Sequence, residues 1–104
     1  GPGLGEEPVA PGNSPRLFQN RPNPCREFTI INYQLPDQME TTLQIYDPAG
    51  RLIRSLVDEI KEAGCYQATW DGKDDEGRRV PAGVYFCTLT TGGLSETRKL
   101  IALQ

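Results

Sequence analysis

The stretch WDGKDDEGRRVPAGVY, residues 70–85, holds the densest run of carboxylates in the chain, with Asp71, Asp74, Asp75 and Glu76 beside the only tryptophan. Three readings compete for it: a metal loop, an acid/base pair, or a connection between two strands. A helix-flanked calcium loop needs oxygen ligands at positions 1, 3 and 5, glycine at 6 and glutamate at 12. Counted from Asp71, positions 3, 6 and 12 fall on Lys73, Glu76 and Ala82; counted from Asp74, position 5 falls on Arg78. Lys73, Arg78 and Arg79 also load the loop with positive charge. What survives of the metal reading is an irregular calcium site within residues 71–77. Two carboxylates cleave a glycosidic bond when held about 5–9 Å apart in a cleft that splits their pKa values. Asp74 and Asp75 are neighbours in a polar loop with nothing to split them.

The connection accounts for more residues. Asp71-Gly72 opens a turn in which the Asp side chain accepts an N–H two residues on. Glu76-Gly77 offers a second turn with a positive-φ position. Pro81-Ala82-Gly83 releases the chain into the next segment. Trp70 before the loop and Val80, Val84 and Tyr85 after it are expected to pack together and hold it shut. The charges then keep an exposed loop solvated.

Working outward, the segments on either side alternate with a period of two. FTIINYQL (28–35) puts Ile31, Tyr33 and Leu35 on one face. TTLQIYD (41–47) does the same with Leu43 and Ile45, and RLIRSLV (51–57) follows. DPAG, residues 47–50, joins those two as a hairpin turn, with Pro at the second position and Gly at the fourth. DEIKEAG (58–64) is left between one helical turn and loop. CYQATW (65–70) shows Tyr66, Ala68 and Trp70 on one face, and GVYFCTLTTG (83–92) shows Tyr85, Cys87 and Leu89, with Val84 and Phe86 opposite. Gly92-Gly93 signals a turn into SETRKLIALQ (95–104). Short strands at such spacing predict an all-β antiparallel sandwich.

Composition bounds the rest. The 104 residues suffice for one domain. Residues 1–16, GPGLGEEPVAPGNSPR, have almost nothing to bury and read as a flexible linker, with Gly-Pro as a cleavage scar. Residues 17–104 are the folded unit. There is no histidine, which removes the commonest general base and metal ligand. No nucleophile stands in a recognisable setting, so no catalytic residue, cofactor or enzymatic activity is expected. A net charge of −3 with scattered Lys and Arg gives no nucleic-acid footprint, and no apolar run approaches the roughly 18 residues of a membrane span. The three cysteines, Cys25, Cys65 and Cys87, show no Cys-x-x-Cys spacing.

Five phrases in fixed order carry a family resemblance: LFQNRPNP (17–24), YQLP (33–36), LQIYDPAGRLIRSLV (43–57), AGCYQATWDGKDDEGRRVPAGVYF (63–86) and TRKLIAL (97–103). Together they resemble the C-terminal sorting domains of the type IX secretion system and the similar immunoglobulin-like domain named after the flagellar hook-cap protein. The resemblance spans nearly all of residues 17–104. It implies an immunoglobulin-like, Greek-key sandwich of about seven short strands. It implies a non-catalytic module at the C-terminal end of a larger secreted protein, following an N-terminal cargo domain. Such a module is recognised by outer-membrane secretion machinery and ends secreted or on the bacterial surface, here as a monomer without membrane insertion. The family's signal regions map onto Gly83, Val84 and Tyr85, and onto Lys99, Leu100, Ile101 and Leu103. Each also has a plain structural role: Gly83 to enter the strand, Tyr85 as core, Lys99 as an ordinary strand lysine.

Three positions depart from the family. Members usually carry aromatics where Cys25 and Cys87 stand, and both positions point inward by strand parity. That substitution suggests a Cys25–Cys87 disulfide; Cys25–Cys65 competes with it, and so do buried thiols acting as small apolar groups. Members often end in a basic residue, whereas this chain ends in Gln104. Two further functions compete with sorting. One is an appended carbohydrate- or protein-binding module, which needs exposed aromatics; Phe18, Phe28, Tyr46, Tyr66 and Phe86 are the ones not assigned to the core. The other is a structural spacer or assembly domain. The tyrosine of Tyr85-Phe86-Cys87 can also act as a corner, although the antibody-type disulfide is not expected.

Overall fold

The computed structural model describes residues 14–103, which form two antiparallel sheets packed face to face. One sheet has the order β1 (Arg16–Leu17), β2 (Thr29–Leu35), β5 (Gly64–Trp70). The other has the order β4 (Leu52–Lys61), β3 (Met39–Tyr46), β6 (Gly83–Thr91), β7 (Leu94–Ala102). Most of the segment assigned to a linker, and Gln104, lie outside the described residues. The first strand begins at Arg16, which pairs with Gln34. β3 pairs with β6 rather than with β5, so the chain crosses between sheets as an immunoglobulin-like sandwich requires.

The period-two faces meet in one core. Leu17, Ile31, Tyr33, Leu35 and Trp70 from the first sheet pack against Leu43, Ile45, Tyr85, Cys87, Leu89 and Leu100 from the second. Each large apolar side chain buried this way contributes roughly 1.5–3 kcal/mol. DPAG closes its hairpin as expected, with Gly50 N–H donating to the Asp47 carbonyl at 2.9 Å. Tyr85 is a corner: its hydroxyl donates to the Pro81 carbonyl at 2.6 Å.

Two expectations are corrected. Residues 58–61 are neither a helical turn nor loop; β4 continues through Asp58, Glu59 and Ile60 to Lys61, pairing with Thr42 back to Met39. Their charges suit a sheet edge, where polar side chains discourage pairing with other chains. The expected Cys25–Cys87 disulfide is not made, and all three cysteines are thiols. Cys25 bridges Ala102, while Cys87 pairs with Arg98, four residues earlier on β7. At about 3.3 Å per residue that offset is on the order of 13 Å along the strand, beyond the ~7 Å Cα limit for a disulfide. Parity placed both side chains in the core correctly but carried no information on distance along it. Burial pushes the Cys25 thiol up and the Cys87 thiol up to about 12, so both behave as small apolar groups.

Candidate recognition surface

The carboxylate loop is a structural connection. Asp71 Oδ1 accepts from Lys73 N–H at 3.1 Å and from Arg54 Nη1 at 2.9 Å. Burial raises the Asp71 pKa, but the Lys73 N–H and the Arg54 charge outweigh it and hold the carboxyl below the usual range. Arg54 also lies 3.8 Å from Asp75 and donates to the Lys73 carbonyl. A guanidinium therefore stands where a cation between Asp71 and Asp75 would have to be. Among the described residues no group of three or more ligand-type side chains could hold a metal ion. Trp70 Nε1–H donates to the Lys73 carbonyl at 2.9 Å, and its ring meets Tyr85 edge-on at 5.7 Å. Val80 is buried with them, whereas Val84 faces outward and takes no part.

The rest of the loop repeats the earlier hairpin turn. Residues 47–51 read Asp-Pro-Ala-Gly-Arg and residues 74–78 read Asp-Asp-Glu-Gly-Arg. In each, the Asp side chain accepts from the N–H groups two and four residues on, and pairs with the Arg guanidinium. Gly50 and Gly77 take matching φ values of 88° and 84°. The backbone N–H of the Arg, first, holds each Asp below the ordinary carboxylate range. The spacing Asp-x-x-Gly-Arg, occurring twice, is the sequence signal that announces both turns.

The two signal segments suggested by resemblance lie side by side. Gly83, Val84, Tyr85 and Phe86 pair with Ala102, Ile101, Leu100 and Lys99 in consecutive rungs of the β6–β7 ladder. Strand parity then divides them. Tyr85 and Leu100 point inward at 6% and 0% exposure. Val84 is 36% exposed, Lys99 is exposed and Ile101 half-buried, all on the outer face. Phe86, which the sequence reading placed outside the core but not among the signal residues, completes that face: it pairs with Lys99 on one side and Tyr46 on the other. Leu103 is half-buried just past β7.

The free edge of β7 is covered from outside the sheet. Gln19 Nε2 donates to the Lys99 carbonyl at 2.9 Å, and Ile101 N–H donates to Asn23 Oδ1 at 2.9 Å. Cys25 N–H donates to the Ile101 carbonyl at 2.8 Å, and Leu103 N–H donates to the Cys25 carbonyl at 2.7 Å. Buried Asn20 braces this segment through Gln19, the Pro22 carbonyl and Thr29 Oγ1. Gln-Asn-Arg-Pro-Asn-Pro, noted in the sequence only as part of a resemblance, is thus the cover of the last strand.

The FlgD Ig-like domain model matches residues 28–93, more than half of the chain. The chain belongs to the FlgD Ig-like domain family. The basal-body rod modification proteins FlgD of Salmonella typhimurium and Salmonella typhi are each 39% identical over 51 residues, 49% of this chain and 22% of theirs. The chain therefore spans only about a fifth of those relatives. Among solved structures, latent PorU from Porphyromonas gingivalis matches 92% of this chain and 10% of its own length (TM-score 0.66, 21% identity). PorZ, described as a surface component of the type IX secretion system of Porphyromonas gingivalis, matches 85% of this chain and 11% of its own (TM-score 0.59, 21% identity). FlgD from Xanthomonas campestris matches 86% and 67% (TM-score 0.58, 22% identity). At these identities the likenesses show the fold, and in PorU and PorZ that fold is one part of a much longer chain. The cover at residues 19–25 and all of β7 lie outside the family-matched stretch.

Proposed function

We propose that this chain is a non-catalytic sorting module appended to a larger secreted protein, and that its signal is read on the outer face of β6 and β7. Val84, Phe86, Lys99 and Ile101 present the signal; Tyr85, Leu100 and Gly83 hold the strands that display it. The carrying observation is the ladder itself: two segments some fifteen residues apart, each picked out by resemblance, are hydrogen-bonded neighbours. The PorU and PorZ likenesses support the same reading. Its partner is the outer-membrane secretion machinery, its cargo precedes it in the chain, and its destination is the medium or the cell surface. The test is to fuse the chain to a passive reporter in a host with type IX secretion. The fusion reaches the medium or surface, and deletion of residues 97–104 abolishes this; export indifferent to the deletion overturns the reading.

One feature favours a binding module instead. Phe28 is 48% exposed and shares a shallow groove with Pro22, Pro24 and Leu103. A flat exposed ring suits stacking against sugars or a partner's apolar side chain. Glycan-array binding that is lost on Phe28→Ala, with export unchanged, would select this reading.

A further inference from the structure

The two edges of the three-stranded sheet are unlike each other. β1, at one end, is two residues long, and its Leu17 N–H donates to Glu96 Oε1 at 2.7 Å. β5, at the other end, has β2 on one side and no strand on the other. Sheet edges are ordinarily protected by charge, by proline or by a cover. Gly64 to Trp70 contain no Asp, Glu, Lys, Arg or Pro. Ile30 exchanges backbone bonds with Arg21, and the Asn32 carbonyl accepts from Phe18 N–H, so both spend their backbone groups on the side away from β5. Antiparallel pairs alternate, so Ile31 and Tyr33 bond to Ala68 and Tyr66, and Cys65, Gln67 and Thr69 aim N–H and C=O away from the sheet. Among the described residues no hydrogen bond reaches those outward groups. The inner face behind this edge is also incompletely covered. Tyr66 and Ala68 point inward yet are half-buried, whereas Ile31, Tyr33 and Leu35 on β2 are buried.

We propose that β5 is a self-association edge: a second copy of this chain pairs its own β5 antiparallel to it across a two-fold axis at Gln67, joining two three-stranded sheets into one. The outward residues 65, 67 and 69 are symmetric about Gln67, and that fixes the register. Gln67 faces its own counterpart, Cys65 faces the second copy's Thr69, and every outward N–H and C=O gains a backbone partner. On the inner face the ring of Tyr66 lies opposite the second copy's Ala68, large against small. Continued past the strand ends, the same register sets Glu62 against the second copy's Gly72. A guanidinium lies there, because Arg79 Nη1 is 2.8 Å from where a Cβ on Gly72 would stand. Glu62 and Arg79 are both exposed, and among the described residues neither makes an ion pair. The two-fold axis makes the Glu62–Arg79 pair twice. The two ends of β5 thus carry charges complementary to a copy running the other way, which identifies the occupant as this same chain. The dimer stands in place of the monomer that the resemblance implies, and it does not rest on the sorting reading.

Sedimentation velocity on the full chain, under reducing conditions, tests this. The unmodified chain passes from monomer to dimer between about 10 μM and about 1 mM, the range of a small interface. Glu62→Arg alone and Arg79→Glu alone each weaken the dimer about tenfold, and the two together return it to within about threefold of the unmodified chain. Gln67→Lys, which sets two like charges directly opposite, weakens it as well. Opposed residues of a hydrogen-bonded pair stand about 5.5 Å apart at Cα, within reach of a disulfide. The Thr69→Cys variant therefore oxidises to a covalent dimer through Cys65, and adding Cys65→Ser abolishes that dimer. Circular dichroism confirms that each variant is folded. A chain that is monomeric at about 1 mM, a dimer indifferent to both charge reversals, or an oxidised Thr69→Cys variant that stays monomeric overturns the proposal. None of these results bears on the export of the reporter fusion, so the two readings fail separately.

Discussion

The four-stranded sheet has two edges, and they are closed in different ways. At β4, the carboxylate loop folds over the edge: Asp75 N–H donates to the Ile53 carbonyl at 3.0 Å and Ser55 N–H donates to Asp75 Oδ1 at 3.1 Å. That cover is tied to the core through Trp70 and to Arg54 through Asp71. At β7, the cover is the Gln19–Cys25 segment, held to the last strand by side-chain bonds of Gln19 and Asn23 and by backbone bonds of Cys25, and to β2 where Arg21 and Ile30 exchange backbone bonds. Both closures combine backbone and side-chain bonds, one supplied by the charge-dense loop before β6 and the other by the Asn- and Pro-containing segment before β2.

The comparison breaks most visibly at Trp70. Replacing Trp70 with Ala removes a fully buried ring and the anchor of the β4 cover, and should destabilise the domain by about 3–5 kcal/mol in urea unfolding. A loss under ~1 kcal/mol would mean the loop is not tied to the core. Asp71→Ala removes the bonds to Lys73 and Arg54 at a half-exposed site, and should cost about 1 kcal/mol by the same measurement. Much of the chain's stability lost there would make the loop more than a cover.

Acid should act on the two Asp-x-x-Gly-Arg turns and spare the Gln19–Cys25 cover, which has no carboxylate in its bonds to β7. Asp47 and Asp74 have folded pKa values below the ordinary carboxylate range. Their stabilisation is therefore complete above the unfolded pKa, near 4, and is lost as pH falls through the lowered folded values. Thermal unfolding followed below pH 4 should show this loss, and Asp74→Asn should flatten its share; an unaltered pH profile in Asp74→Asn would contradict the assignment. The smallest effect is that of calcium. With the Arg54 guanidinium between Asp71 and Asp75, millimolar calcium should leave the melting temperature unchanged. A rise that grows with calcium concentration would restore the irregular metal site, by mass action on the folded state.

Much of this was legible in the sequence because alternation in strands is a local signal. Ile31, Tyr33 and Leu35, Leu43 and Ile45, and Tyr85, Cys87 and Leu89 all took the faces their period assigned. β4 beyond Val57 was not legible, because an edge strand carries the charges of a loop. The cover of the last strand was not legible either: bonds from Gln and Asn side chains to a distant backbone leave no period. Parity also could not place Cys25 against Cys87, since it fixes the face and not the position along it. The two segments singled out by resemblance were legible in the sequence, but only the register of β6 on β7 shows which of their residues face out, and it places Phe86 on the same face.

That division offers the most direct test of the central claim. Val84→Ser with Ile101→Ser alters the outer face and leaves the inward Tyr85 and Leu100 in place. In the exported reporter fusion, the account predicts that export falls at least tenfold while the melting temperature of the purified double variant stays within a few degrees of the unmodified chain. Export at the unmodified level from a folded double variant would show that the outer face of β6 and β7 is not what the secretion machinery reads.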